Sequence, residues 1–168
     1  LANSSGNTVE HCTTTGRGSG YGINLTHNSP ANTFQNNLLT GNYFGIDAYN
    51  STGLGNRYLN NDLSGSGIAL RISQDPLFEV AGNNFDQSVE GLHLLNMAGI
   101  NFAPAPGTVD LRRTTAVALK LQGVVNSRVA GLDLSWIGGG LSGAGLYVDG
   151  CANLTVENVT ALDRSTGV

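Results

Sequence analysis

Arg71, His93 and Lys120 supply two cations and an imidazole, and Asp47, Tyr49, Tyr147 and Asp149 add carboxylates and aromatic rings in comparable segments of the chain. Held side by side, such groups suit work on a glycan: a cation neutralises a carboxylate, a base takes a proton, and an aromatic face carries a sugar ring. Arg71, His93 and Lys120 are therefore the candidate catalytic residues, with Asp47, Tyr49, Tyr147 and Asp149 as candidate substrate contacts. Hydrolysis of a glycosidic bond would need two carboxyl groups about 5 to 9.5 Å apart. Asp47 and Asp149 lie too many residues apart to supply that pair in adjacent segments.

The elements that must position these groups are short and repeated. A Gly followed by an aliphatic residue recurs at Gly22-Ile23, Gly45-Ile46, Gly67-Ile68, Gly91-Leu92 and Gly145-Leu146, and Gly167-Val168 reads as one further start. Ala116-Val117 fills the missing place between Gly91 and Gly145, which gives a period near 24 residues. In phase with it run Asn32 to Leu39, Asn56 to Leu63 and Val80 to Phe85, with weaker echoes at Val129 to Leu134 and Val156 to Ala161. Each unit holds short alternating segments punctuated by Gly, Asn and Ser, which is strand spacing and not helical spacing. Such strands bury an apolar face only by stacking coil on coil. The expected fold is all-β, a right-handed parallel β-helix of about seven coils, forming a single domain over residues 1–168 that is a segment of a longer chain.

Asn37, Asn61 and Asn83 fall at one corner, where an amide can bond both its own backbone and the amide of the next coil; Leu132 and Val159 take that place later. If Ile46 and Ala48 face inward, Asp47 and Tyr49 face outward. Extended by the repeat, the first outward column reads Asn24, Asp47, Ala69, His93, Ala118, Tyr147, and the second Thr26, Tyr49, Arg71, Leu95, Lys120, Asp149. With coils about 4.8 Å apart, Asp47, Arg71, His93 and Lys120 share a strip of about 15 Å. Surface loops are expected at Ala98 to Gly107, with Pro104 and Pro106, and at Trp136 to Gly145. A cleft under these loops lined by Arg71, His93 and Lys120 would favour an active site, and a flush sheet would favour a rod.

These units resemble the parallel β-helix repeats of the pectate-lyase-like superfamily, whose repeat class is associated with carbohydrate binding and sugar hydrolysis. The resemblance covers nearly the whole chain and implies a secreted or cell-surface protein with a polysaccharide partner. The Asp-Asp, Gly-His-Gly and Arg-Ile-Lys signatures of its polygalacturonase-like members are missing, and Asp75-Pro76-Leu77-Phe78 shares only two residues with an Asp-Pro-His-Asp epimerase signature. A calcium-dependent lyase would cluster carboxylates, for which Asp75, Glu79, Asp86 and Glu90 are the candidates; no other cofactor or metal is expected.

Charge narrows the partners. The net charge is −4 and charged residues make up 12% of the chain, with no basic cluster beyond Arg112-Arg113, so nucleic acid is not an expected partner. No apolar run reaches the length of a membrane-spanning helix, so insertion is not expected. Cys12 and Cys151 lie five or more coils apart, beyond disulfide reach, and read as buried thiols. His11 beside the Asn column and His27 in a corner have no ligand partner at metal spacing. Asn3, Asn24, Asn50, Asn153 and Asn158 begin Asn-x-Ser/Thr triplets, which a composition this rich in Asn and Thr produces by itself. The outward columns are too mixed for an ice-binding Thr array. Two functions follow: a polysaccharide-interacting β-helix whose chemistry, where present, is elimination or hydrolysis on an acidic glycan, and a non-catalytic structural or adhesive solenoid. Open coil edges would let either kind stack end to end or trimerise.

Overall fold

A computed structural model describes residues 1–49, 54–140 and 142–166. The Asn50 triplet and the Gly167-Val168 start lie outside the described residues. Among those described there is no helix, and sixteen short strands follow one another. They are β1 (Thr8–Glu10), β2 (Thr13–Thr15), β3 (Tyr21–Leu25), β4 (Thr33–Gln35), β5 (Leu38–Thr40), β6 (Phe44–Ala48), β7 (Arg57–Leu59) and β8 (Ile68–Ser73). The second half adds β9 (Glu79–Ala81), β10 (Glu90–Leu95), β11 (Asn101–Phe102), β12 (Val117–Gln122), β13 (Val125–Ala130), β14 (Ser142–Asp149), β15 (Ala152–Glu157) and β16 (Arg164–Thr166).

The strands pair only with their counterparts one coil away, and every pairing is parallel. The longest wall has seven strands in the order β3-β6-β8-β10-β12-β14-β16, which makes the chain a right-handed parallel β-solenoid of about six turns. A second wall is formed by β1-β4-β7-β9 in the early coils and β11-β13-β15 in the later ones. Beyond it lie β2-β5 and single bridges such as Leu38–Asp62, Asp62–Asn84 and Asn84–Asp110.

Two aliphatic columns fill the interior behind the long wall. Ile23, Ile46, Leu70, Leu92, Leu119 and Leu146 stand in register, as do Leu25, Ala48, Ile72, Leu94 and Leu121. Burying each of these Leu or Ile side chains contributes roughly 1.5–3 kcal/mol, and the sum over the columns makes stacking favourable. Phe34 and Tyr58 stack across the second wall at 5.6 Å between ring centroids.

The register corrects the expected frame in two coils. Ile46 pairs with Leu70 and Leu92 with Leu119, so the true counterparts of Gly45-Ile46 are Ala69-Leu70 and Ala118-Leu119, two residues after Gly67-Ile68 and Ala116-Val117. Strict alternation also breaks at this point. A Cβ on Gly45 would lie 3.2 Å from the Leu63 side chain, and one on Gly91 would lie 2.7 Å from that of Leu111, both core residues. The small residue and the aliphatic residue after it therefore both face the core, as in a bulge. Ala69 and Ala118, expected on the outside, are fully buried for this reason.

Two ladders of side-chain amides flank the second wall. In the expected one, the Asn37 amide donates to Asn61 Oδ1 and the Asn61 amide to Asn83 Oδ1, each at 2.9 Å, while also bonding the carbonyls of Val9 and Phe34. The residue before each rung, Asn36, Asn60 or Gly82, has a left-handed backbone that turns the corner. Leu132 and Val159 continue this corner with an apolar contact, joined by Val109 through its neighbour Asp110. The other ladder, not anticipated from sequence, runs Asn7, Asn32, Asn56 and ends on Asp75.

Other expectations are adjusted. Only part of Ala98 to Gly107 is loop: Ile100 and Phe102 are buried on either side of the outward Asn101, and β11 joins β13. Ser142 opens β14, so the glycine-rich loop ends before Gly143. Cys12, expected buried, is exposed at the corner of the first coil, where only one described coil stacks against it; Cys151 is half-buried, and both thiols are free. His11 and His27 occupy exposed left-handed corners.

Candidate functional site

The outward residues of the long wall form rows set by its register. Asn24, Asp47, Arg71, His93, Lys120 and Tyr147 make one continuous row, one residue from each of six successive strands. The structure thus brings Asp47, Arg71, His93 and Lys120 into a single row, with Arg71 and Lys120 moved from the expected second column into the first by the two-residue frame correction. The second row carries Ser73, Leu95, Gln122 and Asp149 in register, with Tyr49 in the residue after β6.

Bulge geometry adds a third outward row just before the bulge, Tyr21, Phe44, Ile68, Glu90 and Val117. Two inward residues in succession place i and i+3 on the outer face, and Glu90 meets His93 in this way. The Glu90 carboxylate accepts from Lys120 Nζ at 3.1 Å and lies 3.4 Å from His93 Nδ1. That second contact lacks hydrogen-bond geometry, and both His93 nitrogens and Glu90 Oε2 are buried without a hydrogen-bond partner. Burial pushes the Glu90 carboxyl up, but His93 and Lys120 together outweigh it and hold the group below the usual carboxylate range.

Arg71 binds Asp47 through two parallel bonds, Nε to Oδ1 and Nη2 to Oδ2, each 2.8 Å. Its guanidinium also lies 4.2 Å above the Phe44 ring. Tyr21 stacks on Phe44 at 5.1 Å and Tyr43 meets it edge-on at 4.7 Å, so an aromatic cluster with a cation cap stands at one end of the strip. At the other end Lys120 Nζ lies 5.7 Å from the Tyr147 ring, within cation–π range. Asp149 accepts from Gln122 at 3.1 Å. Tyr21 and Phe44, and Glu90 in any role other than a calcium candidate, escape the reading of the sequence because the bulge hides the i, i+3 relation that puts them beside the row; Tyr43 comes with Phe44 as its neighbour.

Although outward-facing, the strip is mostly covered by itself. Asp47 and His93 are each only 4% exposed. Four of the five tyrosines stand out from it instead: Tyr21, Tyr43, Tyr49 and Tyr147 are 43–52% exposed, whereas Tyr58 is in the core. Neither of two cavities formed by the described residues, one under the proline loop and one beside Trp136, is lined by Arg71, His93 or Lys120. The half-open cavity under the Pro104–Gly107 loop, about 220 Å³, is lined by other residues, among them Asp110, Arg112 and Asp133.

The four carboxylates considered for calcium do not converge. Asp75 ends the inner ladder, Glu79 pairs with Arg57, Asp86 with Arg113, and Glu90 with Lys120. Among the described residues no group of three or more His, Cys, Asp or Glu is placed to hold a metal ion, and no helix is long and apolar enough to cross a membrane.

No curated protein and no solved structure matches the chain. A family model, described as a right handed beta helix region, matches residues 1–104, the part that contains both amide ladders and the Asp47–Arg71 half of the strip. With parallel coils, inward amide ladders and a family match over more than half its length, this chain belongs to the right-handed β-helix family.

Proposed function

We propose that the chain is a polysaccharide-recognising solenoid that receives a glycan along the outer face of its long wall. The carrying observation is the placement of Tyr21, Tyr43, Tyr49 and Tyr147, each about half exposed, on or at the ends of strands of one wall. An exposed phenol ring offers an apolar face for the C–H side of a sugar and a hydroxyl for its polar edge. From the row of Tyr21 to that of Tyr147 is five coil steps, or about 24 Å at 4.8 Å per step, the length of a few sugar units.

Recognition is better supported than turnover. His93 is buried, and Arg71 and Lys120 already hold carboxylates, so an acidic sugar would have to displace Asp47 or Glu90 before being neutralised. Kinship with the pectate-lyase-like superfamily belongs to this proposal, supported by the parallel coils and inward amide ladders. A polysaccharide partner also implies a secreted or surface-displayed protein. The mutual pairing of the ionic groups favours a second reading, a structural or adhesive rod, in which the same pairs only hold neighbouring coils together.

The test is retention on a panel of acidic and neutral polysaccharides, read together with release of unsaturated or reducing ends. Wild type is compared with Tyr21→Ala/Tyr147→Ala. At about 1 kcal/mol per ring, the double variant should bind about thirtyfold more weakly, with no ends released by either protein. Equal retention of the two proteins would sink the tyrosine face, and silence on every glycan would favour the rod. End release lost in Arg71→Ala and His93→Ala would establish an enzyme instead.

A further inference from the structure

The cavity beneath the proline loop lies away from the tyrosine face and has its own recognition chemistry. Pro104 and Pro106 wall one side, and the loop is braced by Thr108, whose N–H and hydroxyl both donate to the Ala105 carbonyl at 3.1 and 2.7 Å. Buried Val109 and Leu132 form an apolar floor. The cavity volume of about 220 Å³ is of the order of a single sugar ring, with one side open to solvent.

The polar side of the cavity is preset. Arg112 donates from Nε and Nη2 to the two oxygens of Asp110 at 3.0 and 2.9 Å, and its own backbone N–H donates to the same carboxylate at 3.0 Å. Asp133 stands at the other side of the guanidinium, 3.9 Å from Nη1, with one oxygen fixed by the Ser135 N–H at 3.0 Å. The second Asp133 oxygen and the Asp110 lone pairs left over are acceptors, and Arg112 Nη1 is a donor; that set matches adjacent hydroxyls. Among the residues that line the cavity two carboxylates stand against one guanidinium, with Arg113 and Arg164 acting on Asp110 and Asp133 from outside the lining, and this local excess of acceptors disfavours a uronic acid. Gly107 and Gly131 complete the rim in left-handed conformations, with open space where a side chain would stand.

We infer that this cavity binds one neutral monosaccharide unit, a chain end or a branch, with its hydroxyls on Asp133, Asp110 and Arg112 and its C–H face on the prolines. The inference rests on the polysaccharide reading and deepens it by naming a neutral sugar. Hydrolysis in the cavity is not part of it: the Arg112 guanidinium holds the Asp110 carboxyl below its usual range, which removes Asp110 as a proton donor.

The experiment is an amide NMR titration of the whole chain with methyl glucoside, methyl galactoside and methyl mannoside, and with glucuronic acid as the acidic control. At least one neutral glycoside should give saturable shifts at Ala105, Gly107, Gly131 and Asp133, larger than those given by glucuronic acid. Asp133→Asn keeps the oxygen that accepts from Ser135, so the turn survives, and affinity should fall by about tenfold; Arg112→Gln should act in the same direction. No saturable shift with any of the three glycosides overturns the inference, as does an equal or larger response to glucuronic acid, or unchanged affinity in both variants. In Tyr21→Ala/Tyr147→Ala the cavity shifts should persist. Tyrosine-dependent polymer binding without cavity shifts brings down this inference alone, whereas cavity shifts without tyrosine-dependent binding bring down the tyrosine face alone.

Discussion

The amide ladders beside the second wall and the ionic strip on the long wall both stack polar side chains coil upon coil, yet they settle their hydrogen bonds differently. In the Asn37-Asn61-Asn83 ladder each side-chain amide bonds the next rung or a carbonyl of the preceding coil, and the buried backbone N–H groups of Asn37 and Asn61 are met as well. On the strip Asp47 and Arg71 satisfy one another, but His93 has two buried nitrogens and Glu90 one buried oxygen without hydrogen bonds. A polar group that serves only the fold gains by complete satisfaction, because a buried orphan costs about 1–3 kcal/mol. Such orphans also occur away from the strip, at Ser66 Oγ and Asp75 Oδ1, so by themselves they mark a local cost and not a binding face.

The largest predicted effect tests the satisfied region. Asn61→Ala strips partners from the Asn37 N–H and amide, the Phe34 carbonyl and Asn83 Oδ1 at once, and should cost about 3–4 kcal/mol in urea unfolding. A cost below about 1 kcal/mol would show that the ladder is ornamental. Arg71→Ala comes next at about 2–3 kcal/mol, since it leaves Asp47 buried without its cation; adding Asp47→Asn should restore more than half of the loss.

Asp75 joins the two regimes, being a ladder rung with one buried oxygen unpartnered. Burial holds its carboxyl above the usual range, offset only in part by the N–H groups of Asn56 and Leu77 and the Asn56 amide. The folded state therefore binds this proton more tightly than the unfolded chain. Stability is complete below the unfolded carboxyl value and falls as pH rises from there through the folded value. Asp75→Asn keeps the acceptor for Asn56 and removes the charge, so it should raise the free energy of unfolding by about 1 kcal/mol at neutral pH and change little in acid. A gain of equal size at both pH values would break this account.

The smallest effect belongs to the strip. His93→Leu should leave stability at neutral pH within about 1 kcal/mol of wild type, because removing an imidazole buried without a hydrogen bond offsets the loss of its 3.4 Å contact with the Glu90 carboxylate. Glu90 acts in the opposite sense to Asp75: its folded carboxyl is held low, so its contribution is present above the unfolded value and is lost as pH falls through the folded one. Replacing His93 should move that loss to higher pH, readable as a shift in the acid-unfolding profile. A large destabilisation by His93→Leu at neutral pH would erase the contrast between the two regions.

The sequence by itself determined the parallel coil, its approximate period, the inward Asn37-Asn61-Asn83 column and its replacement by Leu132 and Val159, because these follow from spacing along one coil and from which residues can be buried. It also picked out Asp47, Arg71, His93 and Lys120 as neighbours. Their exact neighbours were decided only in the tertiary structure. The two-residue frame change at Ala69-Leu70 and Ala118-Leu119 put Arg71 and Lys120 in the row of Asp47 and His93, and the bulge brought Glu90 and Phe44 beside them. Register in a solenoid is fixed by how one coil's core side chains and backbone carbonyls meet those of the next, as where the Ala69 carbonyl approaches Gly45, and no single coil's sequence carries that information.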